Sequence, residues 1–290
     1  MKIERAPIER LGLGEGAVWD ADEQALYVLD IFGKKVFRHD PASGTTQSWE
    51  TPGHVGALAL RQHGGGVLAM GDTLQALHFA SGSSAKVAGP IFANPDVTIN
   101  DGAVDRRGRF VFGGCSAGID NPRPIGGLYS FGLDHRVVEL DTGTHQSNSH
   151  CFAPDGRTLY CADSFLKNLY AYDYDLDTGT VSNKRVFANT EDLGGVPDGS
   201  AVDADGIVWV SIFQGAKVAA YRPDGKLERT VDLPARLISS VAWGGAGLDR
   251  LYITTIDPEQ FGWPAEEGSG YVYVVDGLGA RGTPEPRYAA

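Results

Sequence analysis

Sulfur and positive charge are both scarce in this chain. Of 290 residues, three are cysteine and two are methionine. Cys115, Cys151 and Cys161 are too few and too unevenly spaced for a disulfide framework, and there is no C-x-x-C pair to suggest zinc or redox chemistry. Basic residues number 25 against 37 acidic ones, a formal charge of −12. Phosphate backbones and anionic lipid surfaces reward a basic patch, so the charge argues against nucleic acid and membrane as partners. Residues 1–7 (MKIERAP) have no apolar signal core, and no run is long enough to span a bilayer. A reducing cytoplasm is the expected compartment. Long amphipathic helical patterning is missing too.

What the chain does have is an internal repeat. Its unit is an apolar strand, an Asp-x-Asp-Gly type of turn and a second strand ending in a small or acidic residue, followed by a further hairpin. The copies are residues 17–30 (AVWDADEQALYVLD), 102–113 (GAVDRRGRFVFG), 151–163 (CFAPDGRTLYCAD) and 200–211 (SAVDADGIVWVS). Weaker copies occupy 57–70 and 240–254, so successive units start 40 to 49 residues apart. Period-two alternation bounded by Gly, Pro and Asp clusters predicts strands and hairpins, and 39 glycines suit many tight turns. Four short strands repeated six times predict an all-β, six-bladed β-propeller, one domain over residues 1–290, with a sheet closed by strands from both termini. Such a fold closes on itself, so a monomer is expected.

Four polar residues, Glu15, Asn100, Asn148 and Asp198, share one place in four repeats. Each lies five positions before a common repeat position, held by Asp20, Asp105, Ala153 and Asp203. The weaker copies place Gly56 and Ser239 there. Equivalent places in a closed array converge, just before the innermost strands, on one mouth of its axis. Two carboxylates and two amide oxygens converging there predict a central site for one hard divalent cation. Such an ion polarises a carbonyl, and Asp198 beside it could take a proton from water attacking an ester or lactone.

Longer stretches resemble the regucalcin/gluconolactonase (senescence-marker-protein) family. They are residues 13–20 (LGEGAVWD), 99–105 (INDGAVD) with 108–110 (GRF), Ser147-Asn148 with 153–164 (APDGRTLYCADS), and 197–199 (PDG) with 203–206 (DADG). The resemblance implies a six-bladed propeller holding a divalent metal on Glu15, Asn148 and Asp198. It implies that Asn100 contacts substrate or water near the ion, that Asp198 is the general base, and that the reaction opens sugar lactones to aldonic acids. The expected cofactor is one divalent cation: calcium, zinc, manganese, magnesium or iron. Two departures stand out. Thr98 occupies the place of an arginine that contacts substrate in many members. The stretch 113–118 (GGCSAG) lacks the usual acid, with Asp120 the nearest. The substrate-binding set is therefore Asn100, Thr98, Asp101 and His150, and the lactone need not be gluconolactone.

Other residues are open to two readings. Asp101 serves as ligand support or as a turn residue. His150 and His54 either face the mouth or pack within the fold. Phe261, Trp263 and Pro264 sit in a loop that would cover the site or lie apart from it. The Asp-x-Asp-Gly turns lack the downstream Glu of a calcium-binding EF-hand and read as hairpin turns. Besides a lactonase, the sequence admits an arylesterase- or phosphotriesterase-like hydrolase, and a calcium- or ligand-binding propeller without catalysis.

Overall fold

The computed structural model describes residues 1–118 and 121–290; Asp120 lies outside the described residues. In chain order, β1 (Lys2–Arg5) precedes a sheet of β2 (Gly14–Asp20), β3 (Ala25–Asp30), β4 (Lys35–Asp40) and β5 (Thr45–Glu50). The second sheet is β6 (Ala57–Leu60), β7 (Gly66–Met70), β8 (Thr73–Leu77) and β9 (Ser84–Ala88). The third is β10 (Val97–Val104), β11 (Phe110–Ser116), β12 (Gly126–Phe131) and β13 (Val137–Thr144). The fourth is β14 (Ser147–Phe152), β15 (Thr158–Asp163), β16 (Asn168–Asp175) and β17 (Thr180–Asn189). The fifth is β18 (Val196–Val202), β19 (Val208–Phe213), β20 (Lys217–Tyr221) and β21 (Leu227–Asp232). The sixth comprises β22 (Ile238–Gly244), β23 (Arg250–Thr255), β24 (Tyr273–Asp276) and the amino-terminal β1, which pairs antiparallel with β24. Among the described residues these six four-stranded sheets are the six blades of an all-β propeller, and the helical segments are two short 3₁₀ turns.

Two compact units share the blades. Met1–Glu50 with Thr190–Glu285 carries the first, fifth and sixth; Thr51–Asn189 with Pro286–Ala290 carries the second, third and fourth. In the first unit Trp209 and Trp243 meet edge to face at 5.3 Å among Val218, Leu251, Ile253 and Val275. In the second, Phe110, Phe112 and Phe131 pack with Tyr288, whose N–H donates to the Leu60 carbonyl at 2.7 Å. Inner strands are buried throughout, as β3, β7 and β11 are, while the outer β5 and β21 are largely exposed.

The turn aspartates are structural. Asp105 Oδ1 accepts the Arg107 and Arg109 N–H groups, both at 2.8 Å, and Asp203 Oδ1 accepts those of Asp205 and Ile207 at 3.0 and 2.9 Å. A carboxylate that closes its own hairpin in this way is an Asx turn. Five residues upstream, at about 3.3 Å per residue, is about 17 Å back along the same strand, at its opposite end. The repeat register is thus a strand length measured from a capped turn.

One sequence expectation changes here. The four polar residues do not precede the first strands of their blades but lie within them. Each sits where the ladder to the second strand slips: between Glu15 and Val18 in β2, Ile99 and Asp101 in β10, Asn148 and Cys151 in β14, and Pro197 and Ser200 in β18. Ser239 lies at the same slip in β22, between Ile238 and Val241. A β-bulge adds an unpaired residue, bends the strand and re-aims a side chain away from the pleat. Gly16 and Ser149, following Glu15 and Asn148, take the left-handed conformation (φ 54° and 60°) at two of these slips.

At Gly56, in the second blade, β6 runs so close to β10 that a Cβ would stand 2.6 Å from the Asn100 carbonyl oxygen. Glycine is therefore required by its neighbour. Gly56→Ala is expected to lower stability by about 1–3 kcal/mol through overpacking, a loss measurable as a lower urea midpoint; an unchanged midpoint would show that β10 yields freely.

Candidate functional site

In the second unit β10 packs beside β14, and their bulges bring Asn100 and Asn148 together. Asn100 Nδ2 donates to the Ser147 carbonyl at 2.9 Å and to Asn148 Oδ1 at 2.7 Å. Both its amide hydrogens are thereby committed, so its Oδ1 remains as an acceptor. Asn148 Nδ2 donates to Ser164 Oγ at 2.8 Å, which fixes the other amide in the same sense. Flipping either group would set oxygen against oxygen or nitrogen against nitrogen. The acceptors the pair leaves are Asn100 Oδ1 and the second lone pair of Asn148 Oδ1.

Asp101 and His150 brace this pair. Asp101 Oδ2 accepts the His150 N–H and lies 3.2 Å from His150 Nδ1, while His150 Nε2 lies 3.2 Å from Ser147 Oγ. The His150 side chain is fully buried, so its ring supports the site from behind rather than facing a ligand. Thr98 is half-buried on β10, its hydroxyl directed to the Gly71 carbonyl at 3.4 Å. His54 is exposed ahead of β6.

In the first unit β22 packs against both β2 and β18, the strands that carry Glu15 and Asp198. Buried hydroxyls stitch the three. Ser239 Oγ donates to the Gly14 carbonyl at 2.5 Å, Ser211 Oγ lies 2.6 Å from the Ser239 carbonyl and 2.8 Å from that of Gly199, and Ser240 Oγ accepts the Ala17 N–H at 3.3 Å. Glu15 Oε2 accepts the Gly16 N–H at 2.7 Å. Ser239 therefore braces the backbone one residue before Glu15. The aromatic loop also belongs to this unit. Phe261 lies 5.4 Å from Trp263 and 5.9 Å from Phe32, and the Asp257 N–H donates to the Gly12 carbonyl, three residues before Glu15.

Sequence reasoning placed Ser239 in the register but missed the hydroxyls of Ser164 and Ser211, whose partners lie on other segments that periodicity does not reveal. A groove of about 420 Å³ between residues 87–91 and Tyr129, His135 and Glu139 contains none of the expected site residues.

The donors suit a hard cation. Each unit taken by itself offers ligand types that calcium, magnesium and manganese prefer: carboxylates on β2 and β18 in the first, amide oxygens on β10 and β14 in the second. Among the described residues no group of three or more His, Cys, Asp or Glu side chains could hold a metal; a site using asparagine oxygens does not require one. Sulfur is unsuited to the role. All three thiols are buried, and burial pushes those of Cys115 and Cys161 up to about 12.

Residues 13–257 match the family described as SMP-30/Gluconolactonase/LRE-like region. The chain belongs to this family. It is 36% identical to regucalcin of Xenopus laevis over 295 residues, covering 100% of this chain and 99% of that one. A luciferin-regenerating enzyme superposes with a TM-score of 0.91 at 25% identity, covering 100% of this chain and 99% of the other. Regucalcin from Agrobacterium tumefaciens, a calcium-binding protein, gives 0.90 at 25% identity over 99% and 97%. All four polar register residues fall inside the span that defines the family. Among the described residues no helix is long and apolar enough to cross a membrane.

The buried thiols make a direct test of this packing. At pH 8 an aromatic disulfide reagent is expected to leave all three cysteines of the native protein unmodified and to titrate three after unfolding in guanidinium. Rapid native labelling of Cys115 would contradict its enclosure in β11.

Proposed function

We propose that this protein is a divalent-metal-dependent lactonase that opens a small polar lactone, a sugar lactone, to its hydroxy acid. The observation that carries the reading is the pair of hydrogen-bonded amides on β10 and β14, whose orientation leaves Asn100 Oδ1 and the second lone pair of Asn148 Oδ1 as acceptors, at the same bulge position as two carboxylates in a gluconolactonase-type family. Glu15, Asn148 and Asp198 are the proposed ligands. A cation held there supplies Lewis acidity toward the lactone carbonyl and lowers the pKa of nearby water.

This chain's residues do the rest. Asp198 accepts a proton from the attacking water as its oxygen bonds to the carbonyl carbon. The carbonyl then re-forms as the ring carbon–oxygen bond breaks, and the released alkoxide takes the proton that Asp198 accepted to become the product hydroxyl, which restores the Asp198 carboxylate. Asn100 Oδ1 can only accept, so it orients a substrate hydroxyl or that water. Thr98 places a small neutral hydroxyl on the same strand, and Asp101 and His150 act through Asn100 and Asn148. The protein is proposed to work as a cytoplasmic monomer, without nucleic-acid or membrane partners. Because a similar structure is of a calcium-binding protein, a calcium-binding propeller without catalysis is the second reading.

Proton release is measured over a panel of sugar lactones and aryl and phosphate esters, after chelation and re-addition of calcium, zinc, manganese, magnesium or iron. Turnover is expected on a lactone, lost with the metal and restored by it. Preference for aryl or phosphate esters would favour the esterase-like alternative. Thermal stabilisation by calcium with no turnover under any cation would favour the non-catalytic one.

Asp198→Asn keeps an oxygen donor but removes the base, so kcat on the best lactone is expected to fall by about 10²–10⁴-fold. Full activity in that variant would remove Asp198 from the role.

A further inference from the structure

Asp101, His150 and Ser147 form a chain of carboxylate, imidazole and hydroxyl, with both imidazole contacts at 3.2 Å. On bond order alone it has the form of an acyl-transfer triad. The packing does not permit that chemistry. Ser147 is buried, and a Cβ added at Gly113 would overlap Ser147 Oγ and stand 2.6 Å from His150 Cε1. The backbone of β11 therefore closes over the hydroxyl and ring, leaving no room for an acyl carbon.

We propose that His150 is instead a positioning residue, a latch that sets which atoms Asn100 and Asn148 present to a ligand. The geometry is direct. Asp101 follows Asn100 at the β10 bulge; His150 follows Asn148 by two residues at the β14 bulge. The ring spans the two bulges, tied to the Asp101 carboxylate on β10 and to Ser147 on β14. Ser147 also supplies the carbonyl that captures one Asn100 amide hydrogen. Holding Ser147 in place therefore holds Asn100 Nδ2 inward and its oxygen outward, and the 2.7 Å bond to Asn148 Oδ1 passes that alignment on. Between them, Ser149 has left-handed backbone (φ 60°) although it carries a Cβ. That conformation costs about 1–2 kcal/mol in an L-residue and persists only where neighbours over-determine it. The His150 latch is such a neighbour.

The inference rests on the proposed role of Asn148 as a metal ligand, but it can be read without it. His150→Leu fills much of the same volume and removes both ring contacts. Calcium affinity by titration calorimetry is expected to fall by about 10–100-fold, the range for groups that orient metal ligands. The Asn100 side-chain amide protons, protected in the wild type, are expected to exchange faster with solvent by NMR. His150→Asn keeps a donor near the Nδ1 position and is expected to recover protection. A folded His150→Leu with wild-type affinity and wild-type protection would overturn the proposal, as would failure of His150→Asn to recover either. If His150→Leu does not fold, Ser147→Ala removes one anchor alone, and unchanged Asn100 protection there is equally decisive against the latch. If the wild-type protein binds no calcium, the metal reading fails for that ion, while amide exchange still decides whether the latch exists.

Discussion

Regular strands would point successive side chains to opposite faces of each blade, and nothing in that pattern presents a carboxylate or an amide at a strand end. The slip in the ladder between the first and second strands changes this. Among the described residues it recurs in five of the six blades, at Glu15, Asn100, Asn148, Asp198 and Ser239. One additional residue per strand bends it and re-aims a side chain, and all the proposed ligands stand at such a displacement.

A bulge leaves backbone groups without their ladder partners, and buried groups must be satisfied. The two units meet this need differently. The first uses short hydroxyls: Ser211 reaches the Gly199 and Ser239 carbonyls within the slips of β18 and β22, Ser240 accepts the Ala17 N–H within that of β2, and Ser239 holds the Gly14 carbonyl just before it. The second uses longer polar groups, with Asn100 reaching the Ser147 carbonyl and Asp101 reaching the His150 N–H. The same defect is stitched by serine in one unit and by asparagine, aspartate and histidine in the other.

Much of this was legible in the sequence, for a physical reason. The turn aspartates Asp20, Asp105 and Asp203 close Asx turns with their own backbone, a local signal that needs no tertiary knowledge. Counting back five residues then reaches the same strand end in each blade, which is how Glu15, Asn100, Asn148 and Asp198 could be grouped. The slips were not legible, because a slip is a property of a strand pair. That is why the four residues were expected ahead of their strands and were found inside them. At the same register place in the weaker repeats, Gly56 is a glycine required by β10 and Ser239 a brace on Gly14. The orientation of the two amides depends on Ser147 and Ser164, the latter on a segment sixteen residues away, and no spacing rule could supply it. The enclosure of His150 was hidden for the same reason.

The central claim of the proposed function is that Glu15, Asn148 and Asp198 are ligands of one divalent cation. Anomalous diffraction from crystals soaked in manganese tests it most directly. The account predicts one strong peak with carboxylate oxygens of Glu15 and Asp198 and the amide oxygen of Asn148 at about 2.0–2.6 Å, the range for hard cations on oxygen. A peak bound elsewhere, or Asn148 turned with its nitrogen toward the ion, would contradict it.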